Sequence, residues 1–170
     1  MKRTASARRF ALCMIAASSL GSMHAQADSI DCSGSKRSKS APYLEKIQPG
    51  DQPDHELRQA IRAHTISSRA EDFDGSEQTA YAHEDRFGGA GTSVGYFLYT
   101  LKSGEKVWAK FDSIFSTATH AASWEVTYQG VFRFTAGTGK FANIRGGGHY
   151  EGKITQDKGF EEAFSCSAQY

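Results

Sequence analysis

The pattern of apolar and polar residues is clearest between Ser123 and Phe134, where the two kinds of side chain alternate. A period of two residues is typical of a β-strand that buries one face and exposes the other. Val131 is the one apolar residue on the polar face. The alternation therefore predicts a long strand whose inward-facing residues are Trp124, Val126, Tyr128, Phe132 and Phe134.

Further strands are predicted from shorter patterns of the same kind along the chain. Residues 56–67 fit either a helix or a strand, and the β-branched run near their end favours a strand. Residues 145–155 combine alternation with many glycines, which indicates the bending that helps a sheet to close. The other candidates are residues 78–84, with Tyr81 as their anchor, and residues 93–101, 105–113 and 160–170. Short strands joined by many turns predict an all-β barrel or sandwich.

Residues 93–101 and 105–113 form the clearest predicted hairpin, because Ser103-Gly104 suits a two-residue turn. That turn sets the register, since residues that face each other across two strands lie on the same side of the sheet. One side is expected to face the core and the other to form an exposed aromatic patch that marks a partner surface. A neighbouring loop or the amino-terminal arm is the alternative cover for this patch. The predicted core set is Tyr96, Leu98 and Phe111, and the predicted patch is Phe97, Tyr99 and Trp108.

A glycine-rich turn, AGTGKF at residues 136–141, follows the alternating strand and leads into the next one. Its glycines permit positive φ angles, so that Phe141 can fold back to plug a barrel end, with Arg145 covering it. The turn resembles the G-[ST]-G-x-F pattern of allene oxide cyclases, plant dirigent proteins and related small bacterial barrels. This resemblance implies a single eight-stranded, antiparallel, calycin-like β-barrel with a central apolar cavity, often in an oligomer. It assigns no catalytic residue to this chain.

A barrel of about eight strands has an interior that either fills with side chains or holds one small ligand. The aromatic interior favours a protein that binds a small apolar molecule, with Tyr128 or Tyr150 as a polar handle. The alternatives are an enzyme that isomerises or cyclises such a molecule and a structural barrel that assembles into a homo-oligomer. The candidate ligand-binding residues are Tyr96, Leu98, Phe111, Trp124, Tyr128, Phe132, Phe134 and Tyr150.

Glu162 is the one acidic residue that the strand pattern places among apolar neighbours, between Phe160 and Phe164. In a cavity its pKa would rise, and it could act as an acid or a base. A solvated position at the mouth of the barrel is the alternative. Glu162 is therefore the candidate catalytic residue, and the enzyme hypothesis depends on it.

Residues 1–27 have the three parts of a secretory signal peptide. Four cations precede an apolar run at residues 10–20, and Ala25-Gln26-Ala27 suits cleavage. The run is too short to span a bilayer, so export to the periplasm or to the outside of the cell is predicted. Residues 28–53 are polar and are expected to form an extended arm with a solvated basic cluster at residues 36–39. The barrel domain is then predicted at residues 54–170.

Two cysteines, Cys32 and Cys166, remain after the removal of residues 1–27. An oxidising compartment favours a disulfide between them, and two free thiols are the alternative. The bond would tie the amino-terminal arm to the last strand. The long loop makes it worth roughly 4–5 kcal/mol in the ideal entropic model.

Charge and motifs argue against several other functions. The loss of residues 1–27 lowers Lys+Arg from 20 to 16 while Asp+Glu stays at 19, which gives a net charge of about −3 and no basic footprint for nucleic acid. Phe141 stands where a phosphate-binding loop needs Ser or Thr after Lys140. The five remaining histidines lack metal-ligand spacing, so no metal and no cofactor is predicted. The predicted partner is a small apolar ligand, with no nucleic acid and no insertion into a membrane.

Overall fold

The computed structural model describes residues 29–38, 43–120, 123–156 and 159–170, so the signal peptide predicted at residues 1–27 lies outside the described residues. In these ranges the chain is almost entirely β-strand, with a short 3-10 turn at Gly139–Phe141. The first strands are β1 (Ile30–Asp31), β2 (Gly34–Ser38), β3 (Tyr43–Ile47), β4 (His55–Ser68) and β5 (Glu77–Phe87). The others are β6 (Ala90–Thr100), β7 (Lys106–His120), β8 (Ser123–Gly137), β9 (Arg145–Thr155) and β10 (Gly159–Gln169).

Eight of these strands close into a single ring, hereafter the barrel, in which all neighbours are antiparallel. From β4 to β10, consecutive strands pair in chain order. β2 fits between β10 and β4 and completes the ring. Outside the ring, β1 continues the pairing along β10, and β3 pairs with β4. The prediction of an all-β fold with one antiparallel, barrel-like sheet of about eight strands is confirmed.

The segment predicted as an extended arm instead contributes three strands, one of which is part of the barrel. The predicted start of the barrel at residue 54 is therefore wrong. β2 supplies backbone hydrogen bonds to β4 and β10, whose facing edges would otherwise stay unpaired. Lys36 points inward and is 3% exposed, whereas Arg37 is exposed. A polar strand is tolerated here because every second side chain faces the solvent. The prediction that residues 36–39 form a solvated cluster is wrong for Lys36, which is buried.

The β6–β7 hairpin has a register one residue away from the prediction. Thr100 pairs with Lys106, and the backbone N–H of Leu101 donates to the carbonyl of Glu105 at 2.9 Å. The turn therefore has three residues rather than two, with Gly104 at a φ of 88°, which glycine adopts without strain. A shift of one residue moves every side chain of a strand to the other face of the sheet.

The faces predicted for β6 are wrong for this reason. Phe97 and Tyr99 are buried in the barrel, at 3% and 4% exposure, and do not form an outer patch. Tyr96 is 51% exposed instead of facing the core, and Leu98 lies half-buried on the outer face. Two of the three aromatic residues of the predicted partner surface, Phe97 and Tyr99, are thus core residues.

The faces predicted for β7 and β8 agree with the structure over most of their length. Phe111 is buried, and Trp108 lies half-buried on the outer face. Along β8, Phe132 and Phe134 are buried. Trp124 is exposed, because it lies beyond the point where β9 begins to pair with β8. The prediction that Trp124 lines the interior is therefore wrong.

One end of the barrel is closed by the loops between β4 and β5 and between β8 and β9. Phe141 is fully buried there, with its ring centre 4.3 Å from that of Tyr170 and 5.8 Å from that of Phe73. The prediction that Phe141 plugs a barrel end is confirmed. Lys140 takes the covering position predicted for Arg145, since its Nζ lies 5.2 Å from the Phe141 ring centre and Arg145 is exposed.

Cys32 and Cys166 form a disulfide, as predicted, and their Cα atoms are 4.8 Å apart. The backbone N–H of Cys32 also donates to the carbonyl of Cys166 at 3.0 Å. Cys32 lies between β1 and β2, and Cys166 lies in β10. The bond therefore fastens the strand that closes the barrel to the last strand of the chain.

Candidate functional site

A small cavity lies inside the barrel, toward the end opposite Phe141. Its volume is about 80 Å³, less than the roughly 150 Å³ that holds benzene in an engineered protein core. The wall combines aromatic rings with charged and basic side chains. The aromatic residues are Phe97, Phe111, Phe115, Tyr128, Tyr150 and Phe160. The charged and basic residues are Lys36, Arg62, His64, Glu84, Arg86 and Glu162.

Lys36 and Glu162 form a buried ion pair in this wall, with Lys36 Nζ 2.8 Å from Glu162 Oε1 and both side chains 3% exposed. Lys36 Nζ also donates to Gln78 Oε1 at 2.9 Å and lies 4.3 Å from the ring centre of Phe97. Burial lowers the pKa of Lys36 and raises the pKa of Glu162, while the attraction between them opposes both shifts. The inward position considered for Glu162 is confirmed, and the solvated alternative is wrong.

Two tyrosines extend the hydrogen bonding around this pair. Gln78 lies near the Tyr99 hydroxyl and lowers its pKa, and Glu162 lies near the Tyr128 hydroxyl and raises its pKa. The Tyr128 hydroxyl also donates to the backbone carbonyl of Glu161 at 3.3 Å. Burial raises the pKa of Tyr99 and of Tyr128 well above the usual range, so both hydroxyls stay protonated.

A second charged cluster lies in the cavity wall on β4 and β5. Arg62 Nη2 donates to Glu84 Oε1, and Arg86 Nη1 lies 3.9 Å from Glu84 Oε2. Arg86 also donates to Thr117 Oγ1 at 3.3 Å and lies over the ring of Phe115, 4.8 Å from its centre. Because two guanidinium groups share one carboxylate, this cluster is positively charged.

His64 contributes a buried imidazole to the same wall. Its ring centre lies 4.5 Å from that of Phe160, and, among the residues that the structure describes, its buried Nδ1 has no hydrogen-bond partner. Burial and the nearby charges of Lys36 and Arg62 lower the pKa of His64 to about 3, so the ring is neutral at neutral pH. A neutral imidazole with an unpaired nitrogen offers one hydrogen bond to a bound molecule.

Two tyrosines of the cavity wall lie directly across from glycines on the neighbouring strand. Tyr128 of β8 pairs with Gly152 of β9, and Tyr150 of β9 pairs with Gly130 of β8. A Cβ atom at Gly152 would lie 2.1 Å from Tyr128 Oη, and one at Gly130 would lie 2.6 Å from Tyr150 Oη. These glycines therefore make room for the tyrosine rings that form one side of the cavity.

The structure brings together only part of the predicted ligand-binding set. Phe111, Tyr128 and Tyr150 line the cavity. Phe132 and Phe134 lie in the core nearer the plugged end, where the Phe134 ring centre is 5.9 Å from that of Phe73. The residues that lie elsewhere are Tyr96, Leu98 and Trp124.

The basic side chains of the cavity were not among the residues predicted from the sequence to form the site. Arg62 and His64 alternate with apolar residues along β4, so the pattern alone shows two faces without telling which one is buried. The inward face proves to be the one that carries Ala60 and Ile66, each 2% exposed. Ala60 and Ile66 lie on the same face of β4 as Arg62 and His64. Their apolar side chains were the available signal that this face points inward.

Exposed apolar side chains lie on the outer face of β5 to β8. Tyr81, the predicted anchor of β5, is 44% exposed, because the even-numbered residues of that strand are the ones that face inward. The prediction of Tyr81 as an anchor is wrong. Its exposed apolar neighbours on β6 to β8 include Val94, Tyr96, Ile114 and Val131. The homo-oligomer stays a prediction.

No protein-family description matches this chain, and no curated protein matches its sequence. The resemblance of the turn at residues 136–141 to allene oxide cyclases and dirigent proteins therefore stays a prediction. Within the ranges that the structure describes, no helix is long and apolar enough to cross a membrane. In the same part of the chain, no group of three His, Cys, Asp or Glu side chains is placed to hold a metal ion.

Proposed function

We propose that the protein binds a small organic anion inside the barrel, with the acidic group of the ligand near Arg62 and Arg86. The observation that carries this proposal is the charge balance of the cavity wall. Among the described residues that line it, three are cations and two are carboxylates, while the histidine is neutral. Unbalanced charge in a low-dielectric interior is costly, so an anion that restores neutrality there is favoured.

The rest of the cavity suits the apolar part of such a ligand. Aromatic rings form most of the remaining wall, and His64 Nδ1 supplies one further polar contact. The volume of about 80 Å³ limits the ligand to a few non-hydrogen atoms. The proposal thus narrows the small apolar ligand expected from the sequence to a small carboxylic acid.

Isothermal titration calorimetry with propionate and with propionamide tests this proposal. The two molecules have nearly the same shape and differ in charge. Propionate should bind and propionamide should not, because only the anion compensates the excess cation of the wall. Equal binding of both molecules, or of neither, would overturn the proposal.

The variant Arg86→Met separates the cavity charge from the overall charge of the protein. Glu84 keeps Arg62 as its partner in this variant, so no carboxylate is left unpaired. Loss of one charge-assisted contact of about 1.5–3 kcal/mol corresponds to roughly a tenfold to hundredfold weaker Kd. The matched control is Arg133→Met, which removes an exposed cation from the outer face of β8 and should leave the Kd unchanged.

We also propose that the protein is exported and loses residues 1–27. The support is the Cys32–Cys166 disulfide, because such bonds persist in oxidising compartments. Expression of the full chain, followed by fractionation and intact-mass measurement, should give an oxidised protein that begins at residue 28. A full-length protein with three free thiols in the cytosolic fraction would contradict this.

A further inference from the structure

We propose that Lys36 is an amine nucleophile that captures a small carbonyl compound in the cavity as a Schiff base. The compound class that suits the site is a small oxo acid, whose carboxylate would lie near Arg62 and Arg86 and whose carbonyl carbon would meet Lys36 Nζ. This inference rests on the proposed function, since the cavity must first admit a small organic anion.

The position of Lys36 Nζ carries the inference. The atom lines the cavity and is held from two sides, by Glu162 Oε1 at 2.8 Å and Gln78 Oε1 at 2.9 Å. The ring of Phe97 shields a third side, with its centre 4.3 Å from Nζ. An exposed lysine moves freely on a long stem, whereas this amine has one location, next to a carboxyl group that can exchange a proton with it.

The surroundings also favour an unprotonated amine. Burial lowers the pKa of Lys36 and raises that of Glu162, and the charge of Arg62 lowers the pKa of Lys36 further. Transfer of one proton from Lys36 to Glu162 leaves a neutral pair that keeps its hydrogen bonds. The amine then donates to Gln78 and accepts from the Glu162 carboxyl group, and its lone pair becomes available by a small rotation. A desolvated lysine of this kind is a recognised form of activated nucleophile.

The chemical step balances with groups that are present. The Nζ lone pair attacks the carbonyl carbon, a C–N bond forms, and an ammonium proton moves to the new alkoxide to give a carbinolamine. Glu162 in its protonated form then donates a proton to the carbinolamine hydroxyl, which leaves as water while the C=N bond forms. The product is a protonated imine that faces the Glu162 carboxylate, so the ion pair of the resting protein is restored. No oxidant, reductant or metal takes part.

Reductive trapping with glyoxylate tests the inference. The oxidised protein is incubated with glyoxylate and cyanoborohydride at about pH 7, where exposed lysines are almost fully protonated because their pKa is about 10.4. Intact mass should rise by the mass of one glyoxylic acid, less one water and plus the two hydrogens of reduction, which is the gain of one carboxymethyl group. Peptide mapping should place the modification on Lys36.

Two variants make the result specific. Lys36→Arg keeps a cation beside Glu162 but cannot form an imine, so its adduct should disappear. Lys153→Arg removes an exposed lysine of β9 and should leave the adduct unchanged. Near-ultraviolet circular dichroism, and the double variant Lys36→Met with Glu162→Leu, which leaves no lone buried carboxylate, guard against a folding defect as the cause.

The outcomes separate this inference from the proposed function. Binding of propionate without a glyoxylate adduct on Lys36 overturns the inference and leaves the anion site standing. An adduct that survives in Lys36→Arg, or that spreads over exposed lysines, overturns it as well. Failure to bind either anion overturns both proposals.

Discussion

Lys36 of β2 and Glu162 of β10 lie directly opposite each other in register and form an ion pair inside the barrel. Each side chain is the main compensation for the burial of the other. A buried pair of this kind contributes little net stability compared with an apolar pair, yet removal of one partner is severe, because a lone buried charge remains. The stability of the barrel therefore depends on whether one or both of these two residues are replaced.

Lys36→Met should destabilise the protein by about 3–5 kcal/mol, whereas Lys36→Met with Glu162→Leu should cost clearly less. Glu162 alone would be buried with a raised pKa, so the loss of unfolding free energy in the single variant should grow as the pH rises above the unfolded pKa of about 4.3. Urea unfolding followed by circular dichroism measures both effects.

The exposed pair of Arg69 and Asp31 is the control for this double variant. Its side chains are 75% and 54% exposed, so Arg69→Ala should cost only about 0–1 kcal/mol. If the double variant loses as much stability as the single variants Lys36→Met and Glu162→Leu together, Lys36 and Glu162 are not energetically coupled.

Gly152→Ala should destabilise the barrel by about 1–3 kcal/mol through overpacking. The new methyl group would lie 2.1 Å from Tyr128 Oη and 2.5 Å from the backbone carbonyl oxygen of Glu161. Tyr128→Ala added to Gly152→Ala should recover part of the loss, because the ring is the nearer obstacle. Thermal unfolding of the wild type, both single variants and the double variant gives the coupling energy. Strictly additive losses of stability would show that the Tyr128 ring does not obstruct a side chain at position 152.

His55 should stabilise the protein in a pH-dependent way. Its Nδ1 lies 2.5 Å from Asp51 and its Nε2 lies 3.0 Å from Asp85, and these hydrogen bonds raise its pKa above the usual value. The contribution is therefore complete below the unfolded pKa of about 6.5 and is lost as the pH rises through the higher folded pKa.

The stability difference between wild type and His55→Gln should accordingly be largest near pH 6 and shrink toward about pH 9. Urea midpoints across this range measure it. His83→Gln, which alters an exposed histidine of β5, is the matched control. A difference that stays constant or grows with pH would contradict the assignment of the two carboxylate contacts.

Replacement of Cys32 and Cys166 by serine should lower the free energy of unfolding by about 2–5 kcal/mol. The bond closes a loop with a sequence separation of 134 residues and holds β2 against β10. Reductant should destabilise the wild type by a similar amount and leave the double serine variant unchanged. If reductant left the unfolding midpoint of the wild type unchanged, the disulfide would not stabilise the folded protein.

Strands β4 to β10 and the Phe141 plug could be predicted from the sequence because each has a local signal. The disulfide could be predicted because only two cysteines remain after the removal of residues 1–27. The two-residue period marks the strands, and the glycines around Phe141 mark a turn that can return its ring to the core. The register of β6 against β7 has no such signal. It depends on whether the turn has two residues or three, and that single residue decides whether Tyr96 or Phe97 is buried.

The buried charge of Lys36 was missed because a short polar segment was interpreted by composition alone. A non-local signal did exist in the predicted disulfide. Lys36 lies four residues after Cys32, and Glu162 lies four residues before Cys166. An antiparallel ladder that continues from the cysteine pair must place these two side chains opposite each other, and it does so. The cluster of Arg62, Glu84 and Arg86 has no comparable clue, since Arg62 pairs with Ala80 and Glu84 with Arg58, so these side chains are not opposite each other in register.

β2 and β10 are synthesised at nearly opposite ends of the described chain, although they are neighbours in the barrel. Before residues 159–170 exist, β2 can pair with β4 alone, and its other edge stays open to wrong partners. Pairing between such distant segments is slow, because a long loop must close before its contacts form. Ring closure, neutralisation of the Lys36 charge and formation of the Cys32–Cys166 bond therefore coincide in one late folding event, and a chaperone that shields the β2 edge would act on the stage at which this chain is most prone to aggregate.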